Sequence, residues 1–503
     1  MANEGTLKII NKTLSKTSND CYITDFSAEK NAYYTFEIGY AHDYWDASLK
    51  VDITYPDGRI STFLKGLPHG KNMIKLNVFL ECGTNRIAIS HYFGEILLNS
   101  IKATGPAEIT DYRISPENIF FSCDAPKNVK MVLQNYRKEL VEIKTESGTP
   151  IPFEVRVKEP YNEYTASIVE VFLDKEVVFW LGEGEHTLCY CLENGVTLEQ
   201  SLTVKKATPK TDLQFINFNV GCANATLIML PNGKNMLVDS ATEKSAREKI
   251  IPYLEKHSVK VDYYLLTHFH GDHFGCVDEI LEKNGIKKPD GQKAEKMVRT
   301  DKAKREKYLK NYSYLDSTML CFYDEIHNIW DLGGVRIEVL NSRFDEYGNP
   351  MRIYNYPFIK NNEHNFENST SVSFMLDYNG FRYYHGADNY AFSQNRLIAD
   401  YTKQGREDEL CCHYFFGNHH FICDTSAEFM NTLNPTVVFI PICGTIYRRS
   451  TYEYVYKENV KNYYFSHKRL SDTLISSEVG SVRVCVNNAD DWYYENIQDE
   501  DLY

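Results

Sequence analysis

The chain has 503 residues, more than one hydrophobic core can organise, so several domains are expected. An apolar fraction of 43% with 25% charged residues excludes a disordered or fibrous chain, and a formal net charge of −14 excludes a general electrostatic footprint for DNA. No apolar run reaches 18 residues and no charged n-region with an apolar stretch opens the chain, so neither a membrane span nor a signal peptide is read, and a cytoplasmic protein is expected.

Residues 1–207 read as short alternating strands broken by turn signals, for example "LKVDITYPDGRI" and "NMIKLNVFLECGTNRIAIS". In "PDG" (56–58) Pro presets the bend and Gly takes a positive φ. The spacing predicts two β-sandwich modules, 1–106 and 107–207, split near "KATGPAEIT". Tyr33, Tyr34, Tyr44 and Trp45 belong to the first module, as core packing or as a binding face. The modules offer a surface for a protein partner or for a homodimer. The thirteen Cys form no Cys-x-x-Cys pair and read as free thiols in a reducing compartment.

After the polar linker "KKATPKTDLQ" strands begin to alternate with helices, which predicts a layered α/β domain over 208–490, followed by an acidic tail, 491–503. "EKSAREKIIPYLEKHSV" has helical spacing interrupted by Pro252, and "VDYYLLT" (261–267) is an apolar strand run. Next comes "HFHGDH", with His268, His270, Asp272 and His273 inside six positions, before a helix starting near Phe274. Residues two apart on an extended segment point the same way, so His268 and His270 can share one cation. Gly271 turns the chain, and Asp272 and His273 face a neighbouring position. Imidazole and carboxylate are donors that Zn2+ accepts. The segment 286–311 holds ten Lys/Arg against four Asp/Glu, and Lys293, Lys296 and Arg299 in it are candidate contacts to substrate phosphate.

The His-x-His-x-Asp-His stretch resembles the signature loop of the metallo-β-lactamase superfamily, whose fold is αββα. "NMLVDSA", "GFRYYHGADN" and "FFGNHHFICDTSAEFMNTLNPTVVFIP" follow in the family's order. The last run, with "FENSTSVSFMLDYNG" and "IWDLGGVRIEVLN", is similar to the nuclease-like domain of ComEC-type competence proteins. The hairpin "GEHTLCYCLENGVTLEQSLTV" resembles the end of an immunoglobulin-like module. The family resemblance implies a first cation on His268 and His270, with His364 as a further candidate. It implies a second on Asp272, His273 and His420, with His419 as the alternative to His420. It further implies that Asp388 bridges and that Asp239 orients a ligand loop. Two departures stand out: Phe421 and Ile422 replace the subgroup's Gly-Ser after the histidine pair, and an Asn/Ser element, Asn368 and Ser371, stands near the usual third-motif histidine. His385 and His413 read as structural histidines.

Two Zn2+ ions (Mn2+ as the alternative) roughly 3.5–4 Å apart would hold a bridging hydroxide as nucleophile, with Asp272 and His273 central to catalysis. The expected function is a phosphodiesterase or nuclease acting on DNA, RNA or a nucleotide. Hydrolysis of an ester, thioester or lactam is the alternative enzyme reading. A binding or regulatory protein with a degenerate metal site is the alternative from another class.

Overall fold

The structure is a computed structural model. It describes residues 7–15, 21–30, 32–42, 47–67, 72–93, 95–105, 112–115, 118–122, 129–135, 140–159, 167–193, 195, 197–205, 212–283, 319–320, 326–342, 367–421, 425, 427–444, 472–497 and 502. His364, Lys293, Lys296, Arg299, Tyr44, Trp45 and the whole basic segment 286–311 lie outside this part, as does the side chain of Tyr33.

The N-terminal region is mostly strand, in several sheets. Leu7–Leu14, Ile96–Thr104, Ala32–Ala41 and Met73–Leu80 form one four-stranded antiparallel sheet in that order. Cys21–Ala28, Gly83–Phe93, Ser48–Thr54 and Ile60–Gly66 form a second. Both sheets feed one apolar cluster. The cause is visible in Ser48–Thr54: Leu49, Val51 and Ile53 are buried, while Lys50 and Asp52 face outward and pair at 2.9 Å. Side chains alternate across a strand, so a period of two sends every second residue inward, each worth roughly 1.5–3 kcal/mol on burial. Tyr34 is part of this core, edge-on to Phe26. At the turn after this strand, Gly58 has φ 85° and its N–H donates to Tyr55 O.

A second pair of sheets follows with its own core. Its central hairpin pairs Gly184–Leu192 with Thr197–Lys205 antiparallel. A short helix, Lys175–Leu181, capped by Asp174, leads into it.

From Leu213 the architecture changes to two seven-stranded sheets. The first runs Met319–Leu320, Tyr263–Leu265, Asn235–Val238, Thr226–Met229, Leu213–Asn217, Ser481–Asn488, Asp491–Ile497; the second runs Ile329–Asp331, Arg336–Asn341, Ser373–Tyr378, Phe381–His385, Tyr414–Phe416, Val437–Ile440, Asp472–Ile475. The sheets face each other: Phe215 stacks on Tyr383 at 4.7 Å, and Asn217 Nδ2 donates to Tyr414 Oη at 2.9 Å. Ile251 and Leu254 from helix Ile251–Lys256, with Ile280 and Leu281 from helix Val277–Lys283, join the cluster of the first sheet. Leu397, Ile398 and Tyr401 from helix Ala391–Gln404 and Phe429, Met430 and Leu433 from helix Ala427–Leu433 cover the second sheet. Tyr414–Phe416 and Val437–Ile440 are buried along their whole length, as parallel strands covered on both sides must be.

Three local readings need correction. Helical structure runs unbroken from Glu243 to Lys256: a π-type stretch, Ala246–Ile250, leads into an α-helical segment that carries Pro252 in its first turn, where proline is tolerated best. The strand read over 261–267 is only Tyr263–Leu265, because the N–H of Thr267 is drawn off the ladder by a side chain, Asp239. The helix read from near Phe274 begins at Val277.

Candidate metal centre

The parallel strands of both sheets end at one place, and the residues just past their C-terminal ends meet there. This is the usual position for ligand sites in layered α/β folds. Asp239 follows Asn235–Val238, the His268–His273 loop follows Tyr263–Leu265, Asp388 follows Phe381–His385, and His419 and His420 follow Tyr414–Phe416.

Two donor sets result. His268, His270 and Asp388 offer atoms that all lie within 4.8 Å of one another, and so do Asp272, His273, Asp388 and His420. Asp388 belongs to both. Its Oδ2 is 3.6 Å from His268 Nε2, and its Oδ1 is 3.2 Å from His273 Nε2. On the first side His268 Nε2 and His270 Nδ1 are 3.0 Å apart. On the second, His420 Nε2 is 3.2 Å from Asp272 Oδ2. The Asp272 side chain is one-third exposed and marks the open side, while His273 and Asp388 are buried.

The imidazoles are oriented from behind. His273 Nδ1 donates to Asp239 Oδ2 at 2.7 Å. The Thr267 hydroxyl donates to the same oxygen at 2.8 Å, which leaves its lone pairs to accept from His268 Nδ1 at 3.1 Å. His420 Nδ1 donates to Pro441 O at 3.0 Å. With Nδ1 of His268, His273 and His420 turned to these partners, each Nε2 faces inward, as the hydrogen-bond partners of ligating histidines arrange it. The backbone adds support: Asn224 N–H donates to Asp272 O at 3.1 Å and His419 N–H to Ala387 O at 2.8 Å. Asp388 N–H donates to Ser371 Oγ at 3.2 Å, and Phe269 N–H to Glu367 Oε1 at 3.2 Å.

This packing is bought with backbone strain. Asp239, Ala241, Ala387, His419, His420 and Phe421 all have positive φ without being glycine. Gly386 is needed because a Cβ there would overlap the Asn418 side chain.

The charges reflect the crowding. Burial works against a proton on His273, yet Asp388, Asp239 and Asp272 outweigh it and raise its pKa well above the usual value. Burial and the neighbouring His273 and His270 hold His268 well below it. Burial opposes the charge of Asp388, but His273, His419 and His420 keep its carboxyl far below the ordinary range. Buried carboxylates and imidazoles thus compensate one another's charge. Two buried atoms, His273 Nε2 and Asp388 Oδ1, have no hydrogen-bond partner among the described residues although they lie close together. Such orphaned donor-set atoms, with imidazole and carboxylate chemistry on all sides, fit a divalent cation.

His419 stands on the other side of Asp388 from the second set: its Nε2 is 3.7 Å from Asp388 Oδ2 and accepts from Asn368 Nδ2 at 3.1 Å. Burial lowers its pKa to about 4. His385 is stacked between Phe374 and Phe416, and its Nδ1 accepts from Ala387 N–H. His413 accepts from Arg382 N–H and stacks on Phe381. The sequence alone does not single out Thr267, Glu367 or the Pro441 carbonyl. Thr267 adjoins His268 and was open to notice, but nothing in the sequence marks a carbonyl 21 residues beyond His420.

Residues 219–339 match the family model of the metallo-β-lactamase superfamily, so the C-terminal half carries a metallo-β-lactamase domain. A protein of Staphylococcus saprophyticus named as a metal-dependent hydrolase is 37% identical over 60 residues, which are 12% of this chain and 24% of that protein. The chain therefore spans about a quarter of the length of this curated relative. The solved structure of a Podospora anserina β-(1,4)-mannanase with a CBM35 module aligns over 22% of this chain and 27% of its own, at 23% identity and a TM-score of 0.16, too low to bear on fold or function.

Proposed function

We propose that the protein is a metal-dependent hydrolase with a binuclear centre at the C-terminal ends of its parallel strands. The observation that carries this reading is Asp388, whose two oxygens face two separate donor sets. His268, His270 and Asp388 would hold one cation, and Asp272, His273, His420 and Asp388 the other. Zn2+ suits the donors, with Mn2+ as the alternative. When bound, the cations supply Lewis acidity and a water deprotonated near neutral pH.

The chain's own groups do the rest. Asp239 and Thr267 fix the rings of His273 and His268, and Pro441 O fixes His420. Asp272, on the open side, faces the incoming substrate. No Ser or Cys nucleophile is required.

A phosphodiester in nucleic acid or a nucleotide is the substrate we favour, on the basic composition of 286–311 and on the ComEC-like runs in the sequence. We read the two N-terminal units as β-sandwiches, the second immunoglobulin-like, that dock a partner or a second copy. A cytoplasmic site of action fits the free thiols. Among the described residues no helix is long and apolar enough to cross a membrane.

The test is a hydrolysis panel of bis-p-nitrophenyl phosphate, single- and double-stranded DNA, RNA, cyclic dinucleotides and nitrocefin. Phosphodiester turnover should vanish with chelator, return with Zn2+ or Mn2+, and be absent from the Asp272→Ala/His273→Ala double variant. Turnover of nitrocefin alone would overturn the phosphodiester assignment.

A further inference from the structure

Two thiols face each other beside this centre. Cys222 lies in the loop between strands Leu213–Asn217 and Thr226–Met229, and Cys443 lies just beyond strand Val437–Ile440. Their sulfurs are 3.3 Å apart, with Cys222 Sγ donating to Cys443 Sγ and Cys443 N–H donating to Cys222 Sγ at 3.2 Å. The loops touch: a Cβ built on Gly221 would stand 3.4 Å from Cys443 Cβ. A disulfide needs about 2.05 Å between sulfurs, so closing the gap takes a shift of little more than about 1 Å. Both thiols are partly exposed.

Each loop also carries a hydrogen bond to a proposed ligand. Two residues after Cys222, Asn224 N–H donates to Asp272 O; two residues before Cys443, Pro441 O accepts from His420 Nδ1. Asp272 and His420 lie in the same donor set. Drawing the thiols together therefore moves the supports of two ligands at once. Ligand positions are held to roughly 0.2 Å around a bound cation, and losing supporting contacts typically costs about 10–100-fold in metal affinity.

We propose that Cys222 and Cys443 are a reversible oxidation site, closed to a disulfide by small-molecule disulfides, and that closure loosens the cation held by Asp272, His273, Asp388 and His420. The cross-link stands on the thiol geometry alone; its effect on the cation rests on the function proposed above. In the first step the Cys443 thiolate attacks one sulfur of the oxidant RSSR, forming Cys443–S–SR and expelling RS−. Cys222 then loses its proton to solvent and attacks the Cys443 sulfur, forming the Cys222–Cys443 bond and expelling the second RS−. The two thiols give up two protons and two electrons, and RSSR is reduced to two RSH. Burial pushes the Cys222 thiol up to about 12, which disfavours it as the first attacker.

The full chain, reduced and loaded with Zn2+, would be equilibrated in buffers of oxidised and reduced glutathione, then alkylated, digested and mass-mapped. A parallel sample would be challenged with a chromogenic chelator. The expected result is a Cys222–Cys443 cross-linked peptide that dithiothreitol reverses, with roughly tenfold faster Zn2+ loss from the oxidised protein. Cys443→Ser should abolish both the cross-link and the oxidant's effect on Zn2+ loss. Separately alkylated Cys222 and Cys443 at every buffer ratio overturn the proposal, and so does a cross-link that leaves Zn2+ retention unchanged. A reduced protein that takes up no Zn2+ also overturns the coupling, through the reading of the site, and the cross-link still forming tells that failure apart.

Discussion

The N-terminal sheets and the C-terminal domain bury different things. Among the described residues up to Lys205 the buried polar side chains are Thr24, Asn85, Glu170 and Gln200. From Leu213 onward there are twenty-eight, and Asp239, Thr267, His268, His273, Asp388 and His420 among them stand at the strand ends where the donor sets lie. Burying a polar group costs free energy unless it is partnered, so the first region follows the hydrophobic pattern and the second departs from it, most of all at the donor sets. The lesson is that the C-terminal domain carries, beside its own apolar clusters, a buried polar constellation that the N-terminal sheets lack.

Three substitutions would break or sharpen that contrast. Asp388→Ala removes the one carboxylate common to both donor sets; hydrolysis should fall at least about a hundredfold and bound metal from about two ions per chain to below one, read by metal analysis beside a kinetic assay. Retained metal and activity would place the site elsewhere. In the other region, Leu49→Ala opens the fully buried centre of strand Ser48–Thr54. It should cost about 2–5 kcal/mol in chemical denaturation, with metal content unchanged. A loss of metal in that variant would mean the two regions are not separate. The smallest effect belongs to Asp239→Asn, which keeps the shape but weakens the bond to His273 Nδ1; titration with a competing chelator should show metal affinity reduced about 10–100-fold with the fold intact.

Much of this contrast is legible along the chain. Alternation such as Leu49, Val51, Ile53 marks inward faces without any knowledge of partners, because a strand's period is local. The His268–His273 loop is legible because its donors are neighbours in sequence. Partnership across distance is not. Asp388 and His268 are 120 positions apart, and no periodicity joins them; only the family resemblance gives Asp388 as a bridge. The same holds for Cys222 and Cys443, each read from sequence as an ordinary free thiol. Strand length also escapes local reading: Thr267 is apolar enough to extend the run "VDYYLLT", yet Asp239 takes both its N–H and its hydroxyl. The basic segment 286–311 and His364 fall outside the described residues.

One consequence concerns the corner at 419–421. Three successive non-glycine residues there hold φ of 42°, 51° and 61°, a geometry that L-residues resist by about 1–2 kcal/mol each. Nothing local favours it; it leans on Phe421, which is wedged against Phe415 and shares a cluster with Phe429 and Met430 under the outer helices. The aim of His420 is thus governed from the far side of its sheet. Any change that slackens that greasy wedge lets the corner relax and swings the imidazole away from Asp272, although the altered side chain is none of the donors.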